Sequence, residues 1–120
     1  MLFVHPAGEK EQLDIIKEKG LLADSVILIA DDEGAAVGFV AFTLDKTLLT
    51  VNRVEAEGED MCELLLRAAF NYGERRGVFE VESKIREPQN VFELLGFCEK
   101  DQKFVSNIAN VVHVCKNCAK

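Results

Sequence analysis

The stretch EGEDMCELLLRAAFNYGERRGVFEVE, residues 57–82, decides the fold, because apolar side chains at helical spacing give way to alternation within it. This pattern is typical of a helix that leads into a strand. Residues 59–76 are predicted to form the helix, with Gly77 as its left-handed stop. The strand is predicted at residues 78–82, with Phe79 and Val81 on one face. The stripe expected to pack on a sheet consists of Met61, Leu64, Leu65, Ala68, Ala69 and Tyr72.

Three apolar segments precede this helix. Residues 25–30, SVILIA, form an unbroken apolar run, which indicates a strand buried on both faces. Residues 35–44 and 47–56 follow after short turns, so the three segments are predicted to form an antiparallel meander. The order strand, helix, strand from residue 47 to residue 82 implies a right-handed crossover and one parallel pair.

The remaining segments complete a mixed sheet. Residues 2–5 read as a strand, and residues 9–20 as a helix in which Leu13 and Ile16 share a face and Gly20 ends the helix. Residues 87–97 are predicted to form a short helix. Residues 97–106 and 110–116 are predicted to form a closing antiparallel hairpin that turns near Ile108. We therefore expect one α/β domain over residues 1–120, with a mostly antiparallel sheet and a central parallel pair flanked by helices.

Composition excludes several classes of function. The chain has 120 residues, of which 48% are hydrophobic, enough for one core. Its net charge of −7 without a basic run argues against a nucleic-acid partner. No apolar stretch approaches the ~20 residues needed to span a membrane, so we expect no membrane partner and a cytoplasmic location. The four cysteines are compatible with a reducing compartment.

The order of elements resembles the GNAT N-acetyltransferase superfamily. The most specific match is VFELLGF, residues 91–97, which is similar to the family's Leu-Tyr-x-x-Leu-Gly-Phe ending. Residues 63–78 also resemble the family's long helix and the turn after it. The resemblance implies a GNAT-like fold, acetyl-CoA as cofactor, and transfer of an acetyl group to a primary amine of a small molecule or a protein.

The resemblance also implies that the turn before the long helix binds the pyrophosphate of acetyl-CoA. Family members have Gln or Arg, two variable residues, Gly, one variable residue, then Gly or Ala there; this chain has Glu57, Asp60 and Cys62 at the three defined positions. Carboxylates repel a pyrophosphate, so the loop is expected to cap its own helix, the alternative being phosphate binding by backbone N–H groups alone. The implied cofactor-binding residues are Asn52, Arg53, Val54, Glu57, Gly58, Glu59, Asp60, Met61 and Cys62.

Catalysis has few candidates in this sequence. Phe92 occupies the position where many family members have a tyrosine that protonates the departing thiolate, and phenylalanine cannot donate a proton. The backbone of residues 52–54 is expected to donate to the developing oxyanion. Glu55 is the candidate proton acceptor, the alternative being a solvated strand residue. Two functions therefore remain: an N-acetyltransferase, or a catalytically silent GNAT-fold binding module, which the acidic loop and Phe92 favour.

The cysteines and histidines add weaker hypotheses. Cys115 and Cys118 have the Cys-x-x-Cys spacing, and the predicted hairpin would place Cys98 opposite Cys118, with His113 on the same strand face as Cys115. We expect no metal, although a metal or redox site stays open. Whether the terminal hairpin pairs across a homodimer is also open. Cys62 is expected to be a buried structural cysteine rather than an activated thiol, Tyr72 a core residue, and His5 structural.

Overall fold

The computed structural model describes residues 2–108, which form seven strands and three helices. The strands are β1 (Leu2–Pro6), β2 (Val26–Asp32), β3 (Ala35–Asp45), β4 (Leu48–Ala56), β5 (Glu80–Ser83), β6 (Cys98–Lys100) and β7 (Lys103–Asn107). The helices are α1 (Glu9–Lys19), α2 (Glu59–Glu74) and α3 (Gln89–Leu94). The described residues thus follow the predicted order of elements up to β6.

The strands form one sheet in the order β1-β2-β3-β4-β5-β7-β6. All neighbouring pairs are antiparallel except β4 and β5, which are parallel. The predicted meander and the predicted parallel pair are therefore confirmed, and so is the fold class. The β2 strand lies inside the sheet, as its unbroken apolar sequence predicts.

Both faces of the sheet are covered by helices. One face carries Ile27, Ile29, Phe39 and Ala41, on which Ile15 and Ile16 of α1 pack. The other face carries the larger core, to which α2 and α3 contribute. Leu13, predicted to share the packing face with Ile16, is 60% exposed, because the inner face of α1 runs through residues 12, 15, 16 and 19 instead.

The buried stripe of α2 is rotated by one residue from the predicted stripe. Leu64 is 38% exposed, whereas Met61, Ala68 and Tyr72 lie at the margin of the core. The rotation brings Gly73 against the sheet, where an added Cβ would lie 2.9 Å from Leu49 Cδ1. Because glycine has no side chain, the helix approaches β4 closely at this point. The buried residues of α2 are Cys62, Leu65, Leu66, Ala69, Phe70 and Gly73.

Two predictions at the C-terminal end are wrong. Phe79 precedes β5 and is 52% exposed, so it does not share a buried face with Val81. The hairpin formed by β6 and β7 turns at Asp101 and Gln102, whose φ angles are 54° and 66°, and not near Ile108. Positive φ at both central residues is the geometry of a two-residue hairpin turn. The second strand predicted at residues 110–116 lies outside the described residues.

Candidate functional site

A cleft opens between β4 and β5 because the two strands pair over only part of their length. Their register runs from Leu48 opposite Glu80 to Val51 opposite Ser83, and Lys84 N then donates to Val51 O at 2.8 Å. Beyond this point β4 continues to Ala56 without a parallel partner. Backbone groups on this edge of β4 therefore face the cleft.

A bulge in β4 lies at the point where the cleft begins. Ala41 of β3 is opposite Arg53, whereas Phe42 is opposite Val51, so Asn52 is an extra residue without a partner on β3. A bulge of this kind bends its strand and increases the local twist. The bulge thus helps to direct the second half of β4 away from β5, and it lies within the segment predicted to supply the oxyanion donors.

Two cavities occupy the cleft. One, of about 410 Å³, is lined by Asn52, Arg53, Val54, Glu55, Ile85, Arg86 and Glu87. The other, of about 580 Å³, lies at the N-terminus of α2 and is lined by Val54, Glu55, Ala56, Gly58, Glu59, Cys62, Glu87 and Pro88. We call them the strand cavity and the helix cavity. Their shared residues, Val54, Glu55 and Glu87, make them two parts of one cleft.

The N-terminus of α2 has N–H groups that donate to no acceptor within the helix. The first hydrogen bond of the helix runs from Cys62 N to Gly58 O at 3.3 Å, which leaves the N–H groups of residues 59–61 outside the ladder. Within residues 2–108, no side chain accepts a hydrogen bond from them. The expected self-capping is therefore wrong: Glu59 instead accepts a bond from Asn90 Nδ2 (3.4 Å), and Glu63 pairs with Arg67 (2.8 Å).

Gly58 gives this turn its shape. Its φ of 84° and ψ of 154° lie in a region that only glycine occupies readily. No heavy atom lies within 4 Å of a Cβ built at this position, so the backbone next to the open N–H groups is accessible. An open turn at a helix N-terminus suits an anion such as a pyrophosphate, whereas the exposed carboxylates of Glu57, Glu59 and Asp60 oppose it.

Glu55 is held by two cations. Its carboxylate pairs with Arg53 Nε on the same strand (2.5 Å) and with Lys19 Nζ at the end of α1 (3.3 Å). Partial burial acts to raise the pKa of Glu55, but the hydrogen bonds from Arg53 and Lys19 outweigh it, so its pKa is lowered. A carboxylate with a lowered pKa is a weaker base than a free one. The role of Glu55 as proton acceptor stays a prediction.

The other side chains considered for chemistry lie in or near the core. Cys62 is 6% exposed, and burial followed by the charge of Glu59 raises the pKa of its thiol, which disfavours a reactive thiolate. Phe92 is fully buried and packs edge-on against Phe97, with ring centroids 5.0 Å apart. Tyr72 packs against Phe42 with centroids 5.5 Å apart, at the far end of α2 from the cleft. These positions suit structural roles for all three.

The cleft brings together most, but not all, of the predicted site residues. Glu57, Asp60 and Met61 line neither cavity. The structure adds residues 85–88, which the sequence analysis did not identify. A signal for them was present, because a loop that follows one strand of a parallel pair lies beside the end of its neighbour. The predicted residues that line the cleft are Asn52, Arg53, Val54, Glu55, Gly58, Glu59 and Cys62.

The hypothesis of a metal or redox site, and the expectation of no membrane partner, concern other parts of the chain. Cys98 is exposed and lies opposite Val105, so the hairpin on which the pairing of Cys98 with Cys118 was predicted turns elsewhere. The predicted pairing itself involves a residue outside the described range. His113, Cys115 and Cys118 lie outside the described residues. Within residues 2–108, no three His, Cys, Asp or Glu side chains are grouped as a metal site would require. None of the helices described is long and apolar enough to cross a membrane.

Sequence comparisons identify no relative of this chain. No family model matches it, and no curated protein is significantly similar to it. Structure comparison gives many matches. The chain is similar to the putative acyl-CoA N-acyltransferase from Klebsiella pneumoniae, with 16% identity and a TM-score of 0.70 over 90% of this chain and 98% of that one.

Two further solved structures have the same architecture. The ribosomal-protein-S18-alanine N-acetyltransferase from Escherichia coli shares 12% identity, with a TM-score of 0.69 over 89% of this chain and 90% of that one. A GNAT family N-acetyltransferase from Escherichia coli, solved in complex with CoA, shares 16% identity, with a TM-score of 0.63 over 91% and 82%. The fold that the resemblance implied is thus confirmed, and the chain has the fold of the GNAT N-acetyltransferase superfamily.

Proposed function

We propose that this protein is an N-acyltransferase that uses acetyl-CoA and transfers the acetyl group to a primary amine. The observation that carries the proposal is the open cleft between β4 and β5, which runs without interruption into the open N-terminus of α2. Solved structures of the same fold include acetyltransferases, one of them in complex with CoA. The fold and the open cleft together support the proposal.

The residues of the cleft fit the parts of CoA in a definite order. The open N–H groups of residues 59–61 suit the pyrophosphate, with Gly58 allowing close approach. Val54 and Ala56, both partly buried, offer an apolar wall for the pantetheine arm. Acetyl-CoA supplies the thioester carbonyl as acyl donor. Backbone N–H groups on the free edge of β4 from Asn52 onward would donate to the oxygen that gains charge.

The direction of the side chains supports a proposal for where the acceptor enters. Val54 and Ala56 face α2, whereas Arg53 and Glu55 pair with residues of β3 that face α1. Since the proposed phosphate-binding turn belongs to α2, we propose that the acceptor amine enters from the α1 side and meets the thioester where the strand cavity joins the helix cavity. The amine must lose one proton before its nitrogen attacks, and Glu55 or a water molecule is the proposed recipient.

A second candidate function is a silent GNAT-fold binding module that has lost CoA. Three exposed carboxylates at the phosphate-binding turn favour it, namely Glu57, Glu59 and Asp60. The buried Phe92 also favours it, because no tyrosine hydroxyl stands at that position. A silent protein could nevertheless keep the cleft as a remnant of the fold.

Calorimetric titration with CoA separates the two functions. The enzyme hypothesis expects a dissociation constant at or below about 100 μM, and saturating CoA should then raise the melting temperature, since a ligand at 100 times its Kd stabilises the native state by about 2.7 kcal/mol. Release of free thiol from acetyl-CoA in the presence of an amine completes the test. Absence of both heat and a melting shift at millimolar CoA would favour the silent module.

A further inference from the structure

We propose that Glu87 is the residue that receives the acceptor as an ammonium ion. Glu87 lines both the strand cavity and the helix cavity, together with Val54 and Glu55. Of the two carboxylates shared by the cavities, Glu55 already pairs with Arg53 and Lys19. This inference deepens the proposed function and rests on it for its catalytic meaning.

The carboxylate of Glu87 is exposed and forms no ion pair within residues 2–108. Of the carboxylates that border both cavities, Glu87 is therefore the one that lacks a cation in the described part of the chain, whereas Glu59 borders the helix cavity alone. A primary amine is protonated near neutral pH, so it enters the cleft as a cation and is attracted to an unpaired carboxylate. The cleft thereby selects cationic acceptors over neutral ones of the same shape.

The segment that carries Glu87 is held on both sides. The Ser83 hydroxyl accepts from Ile85 N (3.1 Å) and donates to Ile85 O (2.5 Å), which turns the chain away from β5. Arg86 pairs with Glu99 (3.4 Å), and its guanidinium lies 4.8 Å from the centre of the Phe104 ring. Since its neighbours are anchored, Glu87 can stay at the cleft without a partner of its own.

Charge on the surrounding elements is compatible with this role. The cations that line the cleft are Arg53 and Arg86, and each already has a carboxylate partner. Lys19 pairs with Glu55, and the exposed Lys84 lines neither cavity of the cleft. Glu87 also borders a third cavity, of about 420 Å³, on the side of α3 and β6. That cavity contains neither the β4 edge nor the N-terminus of α2, so only the cleft joins Glu87 to the proposed donor site.

The test uses the full chain with n-butylamine as cationic probe and n-butanol as its neutral counterpart. Two-dimensional NMR of the protein, with and without CoA, follows the amides of residues 84–88. We expect n-butylammonium, but not n-butanol, to shift these signals. In Glu87→Gln the dissociation constant for n-butylammonium should rise about fivefold, as expected for an exposed charge pair, and the rise should shrink at high salt.

A matched control and a kinetic comparison distinguish a role of Glu87 in binding the amine from a purely structural role. Glu80→Gln removes the same charge from an exposed site on β5 that borders none of the three cavities, and should leave amine binding unchanged. If the wild type turns over, Glu87→Gln should raise the KM for n-butylamine about fivefold, with kcat within about twofold. The KM for acetyl-CoA should not rise, because the loss of a negative charge beside the helix cavity does not weaken the binding of a pyrophosphate. Glu87→Asp should restore part of the loss.

The failures of the two proposals are distinguishable. If CoA binds but n-butylammonium shifts no signal at residues 84–88, or shifts them equally in Glu87→Gln, the assignment of Glu87 is overturned while the proposed function stands. If n-butylammonium binds through Glu87 and CoA does not bind, the cation site stands and acyl transfer fails. Equal weakening by Glu80→Gln would show that net charge alone is responsible, and would also overturn the assignment.

Discussion

Exchanging two acidic residues at the turn before α2 should strengthen CoA binding. The change is Glu57→Arg with Asp60→Gly, which introduces a cation and a bare backbone at positions where the GNAT family has Gln or Arg and Gly. The N–H groups of residues 59–61 are already open, so no existing hydrogen bond has to be broken. What opposes a pyrophosphate in this turn is charge alone.

The magnitude follows from Coulomb's law. The double substitution changes the local charge by about three units, each acting on about two negative charges of a pyrophosphate some 6 Å away. With the dielectric constant of water this amounts to about 4 kcal/mol, and physiological salt roughly halves it. A gain of about 2 kcal/mol corresponds to about 30-fold in affinity. If repulsion is the cause, the affinity for CoA should depend more strongly on salt concentration in the wild type than in the variant.

Calorimetric titration of both proteins with CoA measures the effect. The matched control is Glu9→Arg with Glu11→Gly, because these residues are acidic positions in the first turn of α1, which also follows a glycine N-cap. It makes a comparable change of charge at the wrong helix and should leave CoA affinity within about twofold. The stability of the α2 variant should fall by about 1–2 kcal/mol, from loss of a favourable charge and gain of a glycine in the first turn.

Three outcomes would refute this reasoning. Equal CoA affinity in the α2 variant and the wild type would show that the carboxylates turn away from the bound phosphates. An equal gain in the α1 control would assign the effect to net charge. Failure of both proteins to bind CoA, with both folded by circular dichroism, would leave the cleft without the cofactor on which the enzyme hypothesis depends.

Three further predictions concern stability and are measured by urea denaturation. Phe92→Tyr should cost about 1–3 kcal/mol without restoring activity, because the new hydroxyl would be buried among phenylalanine rings; an unchanged midpoint would contradict this. Gly38→Ala should cost about 1–3 kcal/mol, because the added Cβ would lie 2.8 Å from both Ala56 Cβ and Glu55 O; a neutral effect would mean that β4 can shift there. The pKa of His5 is raised, first by the hydrogen bond to Asp31 and then by that to Pro6 O. The free energy of unfolding that His5 contributes is therefore complete below its unfolded pKa near 6.5 and is lost as pH rises through its folded pKa. His5→Gln should therefore flatten the fall in stability as pH rises above about 6.5, and an unchanged slope would assign that fall to other groups.

Much of the fold could be predicted because several local patterns agreed. The unbroken apolar run of β2, the two short turns and the length of α2 all indicated the same sheet. The hairpin at Asp101 and Gln102 was missed because neither residue is a glycine or an asparagine, the usual signal for such a turn. The rotation of α2 was missed because Leu64 and Leu66 flank Leu65 and hydrophobicity alone does not choose between them.

The site was harder to predict than the fold. Glu55 could be found from its place on β4, but its two cations come from β4 itself and from the distant end of α1, a pairing that needs tertiary structure. The loop that carries Glu87 could have been placed beside β4 from the predicted parallel pair, but which of its residues borders the cleft depends on where β5 ends relative to β4. Self-capping by the acidic turn was predicted from the residue types alone. A cap also requires that a carboxylate point at the N–H groups, and the sequence does not show this direction.

The extra residue at Asn52 determines where β4 can lose a residue without changing which side chains face the core. Leu49 and Val51 face the same side of the sheet as Val54 and Ala56, so the alternation of the strand changes phase between residues 51 and 54. The extra residue keeps Arg53 and Glu55 away from the core face, where unpaired charges are costly. A codon deleted at Asn52 would remove the bulge and leave the same side chains on each face. A codon deleted between residues 53 and 56 would instead turn each following side chain of β4 to the opposite face, and simultaneous changes would be needed to compensate.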